Sequence, residues 1–221
     1  MSTALVDHLV VAAHTLAQGV AWCEATLGVA PGPGGQHPLM GTHNRLLKIA
    51  TTTYPDAYLE IIAIDPDAPP PGRKRWFGLD DAVLQTSLRE HGPRLIHFVA
   101  RSTMLDMHRW GLITVGQKPG DPVSASRMTP TGLLSWQMLV REDGSTDCHG
   151  ALPTLLQWQG AHPAQAMDQS GVTLKAMALS GVGDRARDVL RLRGVAVSAQ
   201  PGVPITATLA TPLGNVVLRS A

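Results

Sequence analysis

The chain predicts an α+β fold in which βαβββ modules repeat around a cupped mixed sheet, with a third, degenerate copy at the end. Three observations lead there. Two apolar, strand-like runs each carry one histidine: Val6-Asp7-His8-Leu9-Val10-Val11 and Leu95-Ile96-His97-Phe98-Val99-Ala100. Two later runs each carry one polar group in an apolar setting: Tyr58-Leu59-Glu60-Ile61-Ile62 and Thr154-Leu155-Leu156-Gln157-Trp158. His8 and Glu60 thus open and close one module, and His97 and Gln157 open and close a second. A Thr-Pro-x-Gly turn recurs at Thr129-Pro130-Thr131-Gly132 and Thr211-Pro212-Leu213-Gly214, which marks a third.

In order, the first strand is followed by Thr15-Leu16-Ala17-Gln18, which has capping-box spacing. Leu16, Val20, Cys23 and Leu27 then fall at helical intervals until Gly28 stops the run. Pro31-Gly32-Pro33-Gly34-Gly35 is too rich in breakers for a central strand, so a loop or broken strand precedes Met40 to Ile49 and the Glu60 strand. Modules over residues 5–66 and 94–160 are joined by the proline-dense stretch 65–75, an extended surface connection. A short helix is expected from Asp80 to Glu90, and another from Ser102 or Thr103 through Trp110 with Gly111 as its stop. Val123 to Met128 and Leu133 to Val140 form a hairpin, and the Gln157 strand follows. In the third unit, residues 171–221, Val172 to Leu179 is a strand and Asp184 to Arg193 a basic helix ended by Gly194. Ile205 to Leu209 then pairs with Val216 to Arg219. Its slots equivalent to the histidines and Glu60 hold Lys175 and Leu218, so this copy lacks the polar set. An unpartnered third unit is expected to cover an edge or to pair across a homodimer.

With 18 basic and 17 acidic residues and no basic block, the chain has no footprint for nucleic acid. Cys23 and Cys148 are far apart and form no metal or redox pair, which predicts a cytoplasmic protein. No apolar run approaches the length that spans a bilayer, and the first residues lack the pattern of a secretory leader, so no membrane partner is expected.

Repeated βαβββ units with a histidine on the first strand and an acid or amide on the last resemble the vicinal oxygen chelate superfamily, which includes glyoxalase I, extradiol dioxygenases and bleomycin-resistance proteins. More closely, Asp7 to Val11, Gly34-Gly35-Gln36-His37-Pro38-Leu39-Met40-Gly41-Thr42-His43-Asn44-Arg45-Leu46-Leu47 and Tyr58 to Ile62 resemble the bacterial glyoxalase-like domain family. The resemblance covers residues 5–163, including Pro153 to Trp158 and His162-Pro163. It implies a cup made by two modules about a pseudo-twofold axis, with metal ligands pointing inward. Carried over position by position, His8, Glu60, His97 and Gln157 fall on the ligand slots, implying a divalent metal: zinc, iron, nickel or manganese.

Burying a lone carboxylate such as Glu60 is costly without a metal, a cation or several donors. The alternative to a metal is an arginine partner, Arg45 or Arg127, with His8 and His97 as core histidines. Gln157 departs from the two-carboxylate pattern of glyoxalase I, and an amide cannot take a proton near neutral pH, so Glu60, the candidate catalytic residue, or a metal-bound water would move the proton. A hairpin-based alignment instead puts Trp136 in that slot and makes the third unit the partner of the first. His43, Asn44 and Arg45, beside the glycine-rich loop, are candidates to bind a substrate carboxylate or carbonyl, or else simply fix the loop. Trp136, with Trp158 and Met138, lines a pocket or fills the core. His37, His149 and His162 have no spacing argument and stay outside the metal set. The expected function is that of a metal-dependent lyase, isomerase or dioxygenase acting on a small oxygenated substrate. The alternative is a metal-free protein of the bleomycin-resistance kind that binds a small molecule without turning it over.

Overall fold

The computed structural model describes residues 3–129 and 132–220. Pro130 and Thr131, the centre of the first predicted Thr-Pro-x-Gly turn, lie outside the described residues. The first unit comprises β1 (Leu5–Ala12), α1 (Leu16–Leu27), β2 (Gln36–His37), β3 (Thr42–Lys48) and β4 (Tyr58–Ile64). After α2 (Ala82–His91), the second comprises β5 (Arg94–Arg101), α3 (Leu105–Thr114), β6 (Asp121–Thr129), β7 (Gly132–Val140) and β8 (Thr154–Gln159). The third comprises β9 (Thr173–Ser180), α4 (Asp184–Leu190), β10 (Val195–Ser198), β11 (Ile205–Thr211) and β12 (Gly214–Arg219).

The first two units share one 8-stranded sheet in the order β2-β3-β4-β1-β5-β8-β7-β6. Within each unit the first strand lies parallel to the last, and β1 joins β5 antiparallel, so the two halves are related as a repeat. Residues from β3, near one edge, and from β6, at the other, line a common cavity, so the sheet curls into a half-barrel. Strand alternation sorts side chains between its faces. Val10, Ile62, Val99, Met138 and Leu156 point into the cup together with Trp76 and Phe77. Leu9, Ile61, Phe98 and Leu155 point outward, where Cys23 and Leu27 of α1 and Leu112 of α3 cover them.

The helices follow the expected signals at α1, while α3 starts after Met104 rather than at Ser102 or Thr103, and α4 stops at Leu190 with Arg191 at φ 47 as its cap, short of Gly194. Thr15 caps α1 by accepting from the Gln18 N–H, and Gly28 ends it at φ 75. Asp81 caps α2 through Val83 and Leu84. Gly111, expected to stop α3, lies inside it, because the helix runs on to Thr114. Its missing side chain serves packing: a Cβ there would sit 2.9 Å from Val189 Cγ1 of α4.

The third unit repeats the order of elements but not their pairing. Its 4-stranded sheet runs β10-β9-β11-β12, so β9 has its parallel neighbour in the next strand rather than the last. It covers the outer face of the large sheet, not an edge. Leu174, Met177, Ile205 and Leu209 enter the same core as Leu9 and Phe98. Backbone bonds from Leu174 N to Ile49 O (2.8 Å) and from Ala4 N to Leu190 O (3.0 Å) tie the units together. Of the two residues on its equivalent slots, Lys175 is exposed and Leu218 is buried. No helix among the described residues is long and apolar enough to cross a membrane.

The α3–α4 contact sets a test. Gly111→Val forces two branched side chains into one space and should cost about 1–3 kcal/mol. Urea denaturation with an unchanged slope and a lower midpoint is the expected result.

Candidate active site

The site begins with an irregularity in β1. Val6 pairs with Ala100 and His8 with Val99, so Asp7 is an extra residue without a partner across the strand pair. Such a bulge re-aims side chains, and it lets two adjacent residues meet instead of facing opposite ways. Asp7 Oδ1 lies 2.7 Å from His8 Nδ1. Its other oxygen accepts from Trp158 Nε1 at 2.8 Å and from His162 Nε2 at 3.0 Å. Burial alone would raise the pKa of Asp7, but the hydrogen bonds from His162 and His8 outweigh it and hold the carboxyl well below its ordinary range. An ionised Asp7 can only accept, so the His8 proton sits on Nδ1 and Nε2 turns to the cup.

Glu60 faces His8 across the strand pair. Its Oε2 is 3.6 Å from His8 Nε2, too far for a hydrogen bond and close enough for one atom to touch both. Its Oε1 accepts from Asn44 Nδ2 at 2.5 Å. Asn44 is oriented in turn, because its Oδ1 accepts from the Gly35 N–H at 2.8 Å. The glycine-rich loop explains itself here: a Cβ on Gly34 would lie 1.9 Å from the Asn44 carbonyl oxygen. Tyr58 stacks on His8 with ring centres 4.6 Å apart. Burial, then the charges of Asp7 and Glu60, push its hydroxyl pKa well up, so Tyr58 stays protonated. His37 also lines the cup, and burial lowers its pKa to about 4.

The predicted set is only partly assembled. His8 and Glu60 meet. His97 points inward but its ring is spent: Nδ1 donates to Gly150 O at 2.9 Å, and Nε2 accepts from the Thr154 N–H at 3.1 Å. Burial brings its pKa down to about 3, against the opposing pull of the Gly150 carbonyl. Gln157 lies on the opposite face, where its Oε1 accepts from the Leu105 N–H at 3.1 Å and caps α3. The register shows why. Glu60 pairs with Val10, two residues after His8, and the residue that pairs with Val99, two after His97, is Thr154. Thr154 therefore holds the fourth slot, and neither Gln157 nor Trp136 does. Trp136 lines the cavity from β7. Of the β3 trio, only Asn44 faces the cup; Arg45 is exposed, and His43 lies 3.8 Å from Asp65.

These residues do not fit the divalent metal that the sequence implies. With His97 committed and Gln157 turned away, His8 Nε2 and Glu60 Oε2 are the donors left from that set, short of the three protein ligands of a catalytic zinc. Among the described residues no group of three or more His, Cys, Asp or Glu side chains is placed to hold a metal ion. Asp7, Tyr58 and Trp76 belong to the site and are not among its candidate residues, whereas His37 stands outside the expected metal set and Arg127 is expected only as an alternative partner for Glu60. A bulge leaves no composition signal, and Trp76 and Arg127 lie far from the ligand strands in sequence.

The profile of the glyoxalase-like domain family matches residues 6–192, past the end of the resemblance at residue 163. A hypothetical protein from Staphylococcus aureus is 14% identical with a TM-score of 0.59, over 98% of this chain and 85% of that one. At that identity the likeness shows the fold alone. A methylmalonyl-CoA epimerase variant from Streptomyces coelicolor, in complex with 2-nitronate-propionyl-CoA, is 18% identical with a TM-score of 0.43, over 73% of this chain and 99% of that one. Methylmalonyl-CoA epimerase from Mycobacterium tuberculosis is 16% identical with a TM-score of 0.41, over 76% and 97%. A search of curated proteins found no match.

The buried neutral histidines give a pH test. Unfolded histidine takes up a proton near pH 6.5, whereas folded His97 resists until about 3. Acid therefore favours the unfolded chain, and stability should fall between pH 6.5 and 3 by roughly 1 kcal/mol per pH unit for this residue. Urea unfolding at pH 7, 6 and 5 should show a shallower pH dependence in His97→Gln than in wild type. An identical slope would mean that His97 is not held neutral.

Proposed function

The chain belongs to the glyoxalase-like domain family, within the vicinal oxygen chelate superfamily, and from that premise we propose that it is an enzyme which moves a proton on a small oxygenated substrate held in the cup. The observation that carries this reading is the pairing of Glu60 Oε2 with His8 Nε2 across 3.6 Å, both on the cavity wall. Glu60 Oε2 takes a proton from a carbon beside a carbonyl group, and the electron pair of the broken C–H bond passes into the enolate. Asn44 holds the other carboxylate oxygen, so the base presents one fixed atom. His8 Nε2, steadied from behind by Asp7, receives the proton and returns it. Divalent metals are common in the superfamily, but the donor set among the described residues does not complete a centre.

A second reading, capture of a ligand without turnover, is favoured by the indole-lined wall of Trp76, Trp136 and Trp158. Deuterium uptake separates the two. Pyruvate, phenylpyruvate and dihydroxyacetone, incubated with the protein in D₂O, should include at least one that gains deuterium faster than its uncatalysed background. Glu60→Gln should slow that gain by about 10²–10⁴-fold, the usual worth of a general base. Background rates with every probe, while the probes still bind, would favour capture. Exchange that stops on chelation and returns with zinc would overturn the metal-free mechanism.

A further inference from the structure

The cup is small, about 40 Å³, with room for only a few atoms. Beside it lies a larger chamber of about 290 Å³ between the β2 segment and the β6–β7 hairpin. Five residues line both: His37, Trp76, Arg127, Trp136 and Met138. They form a neck. Two donors there have no hydrogen-bond partner among the described residues, Arg127 Nη1 and Trp76 Nε1, and both atoms are buried. Trp76 as a whole is only 7% exposed.

An unpaired buried guanidinium nitrogen and an unpaired indole N–H carry a desolvation cost that no hydrogen bond from the described residues offsets. Both are donors only. Beyond them the chamber wall is largely apolar, with Pro38, Leu39, Val123, Ala125 and Val140. We infer that the neck binds the carboxylate of an elongated substrate, whose reacting carbon enters the cup and whose aromatic or branched apolar tail fills the chamber. The glycine loop is built for it: a Cβ on Gly35 would lie 2.0 Å from Arg127 Nη1, so the guanidinium occupies space that only glycine leaves open. Arg127 sits at the neck and Glu60 within the cup, so an acid enters with its charge held away from the base. The substrate class is therefore a carboxylic acid with a hydrophobic side chain and a carbonyl within reach of Glu60. The inference rests on the proposed reaction for what happens at the reacting end, but not for the binding.

The test uses non-reacting probes. Quenching of tryptophan fluorescence in the full-length protein, titrated with 3-phenylpropionate, 3-phenylpropanol and propionate, should show the aromatic acid binding at least tenfold more tightly than either comparator. Arg127→Gln should bring the acid down to the affinity of the alcohol and leave the alcohol unchanged. Gly35→Ala, which keeps the charge but pushes the guanidinium aside, should do the same, and it decides the matter if Arg127→Gln does not fold. Glu60→Gln should keep the preference for the acid. Equal binding of acid and alcohol by wild type, or a preference that survives in the folded Arg127→Gln or Gly35→Ala protein, overturns the inference. Absent deuterium uptake with the acid preference intact would remove the reaction and leave the neck standing.

Discussion

The carboxylate of Asp7 holds the site together. It has no exposure, and an isolated charge so placed would cost several kcal/mol. Three ring N–H groups meet it, from His8, Trp158 and His162, with an Arg101 nitrogen at 3.9 Å. Those partners come from β1, from β8 and from the segment after β8, so one ion fastens the two halves of the sheet at their seam. It also fixes chemistry. His162 accepts from the Ala164 N–H through Nδ1 and so gives its Nε2 proton to Asp7, while His8 gives its Nδ1 proton and keeps Nε2 for the cup. The bulge that creates Asp7 thus sets the protonation pattern of the site.

The fold was legible in the sequence because it is written in periods. Apolar runs carrying a histidine marked the strands on both sides of the seam, and the helical spacing from Leu16 to Leu27, bounded by Thr15 and Gly28, marked α1 as expected. The site was less legible because strand phase is a matter of single residues. On β8 the apolar run Leu155-Leu156 hides which face is which, and Gln157 read as inward although Thr154, Leu156 and Trp158 share the inner face. On β3 the same alternation separates Asn44 from His43 and Arg45. His97 packs against Phe77, and its bonds to Gly150 and to Thr154 at the start of β8 depend on residues 53 and 57 positions away. A glycine with φ +89, whose Cβ would lie 2.4 Å from the Ile96 carbonyl oxygen, makes that approach possible. Such closeness leaves no periodic trace.

The third unit illustrates the gap between order and pairing. Strand, helix and three strands recur, yet β9 lies between β10 and β11, whereas β1 and β5 each lie beside the last strand of their own unit. A sheet can close on the seam only if its first strand is left with a free edge. The first two units satisfy this with each other, and β1 pairs with β5. The third has no such partner and buries its apolar face on the outer side of the large sheet instead. Its helix α4 reaches α3 at Gly111, far from the cup.

The two halves of the cup have taken different roles, and this bears on the proposed chemistry. In the first half, Glu60 and His8 keep an oxygen and a nitrogen bare. In the second, the equivalent positions hold Thr154 and His97, which bind each other and the backbone and keep His97 neutral by burial. A carboxylate at Thr154 would face that neutral ring without a donor, in a wall otherwise made of Val99, Leu156 and Phe77. The second half is therefore a rigid wall without an acid or a base. On the proposed reading a proton leaves and returns on the side of Glu60, because among the described residues the wall around His97 and Thr154 offers no free base. On that reading, shifting a proton along one face of an enolate is the chemistry that the asymmetry of the cup favours.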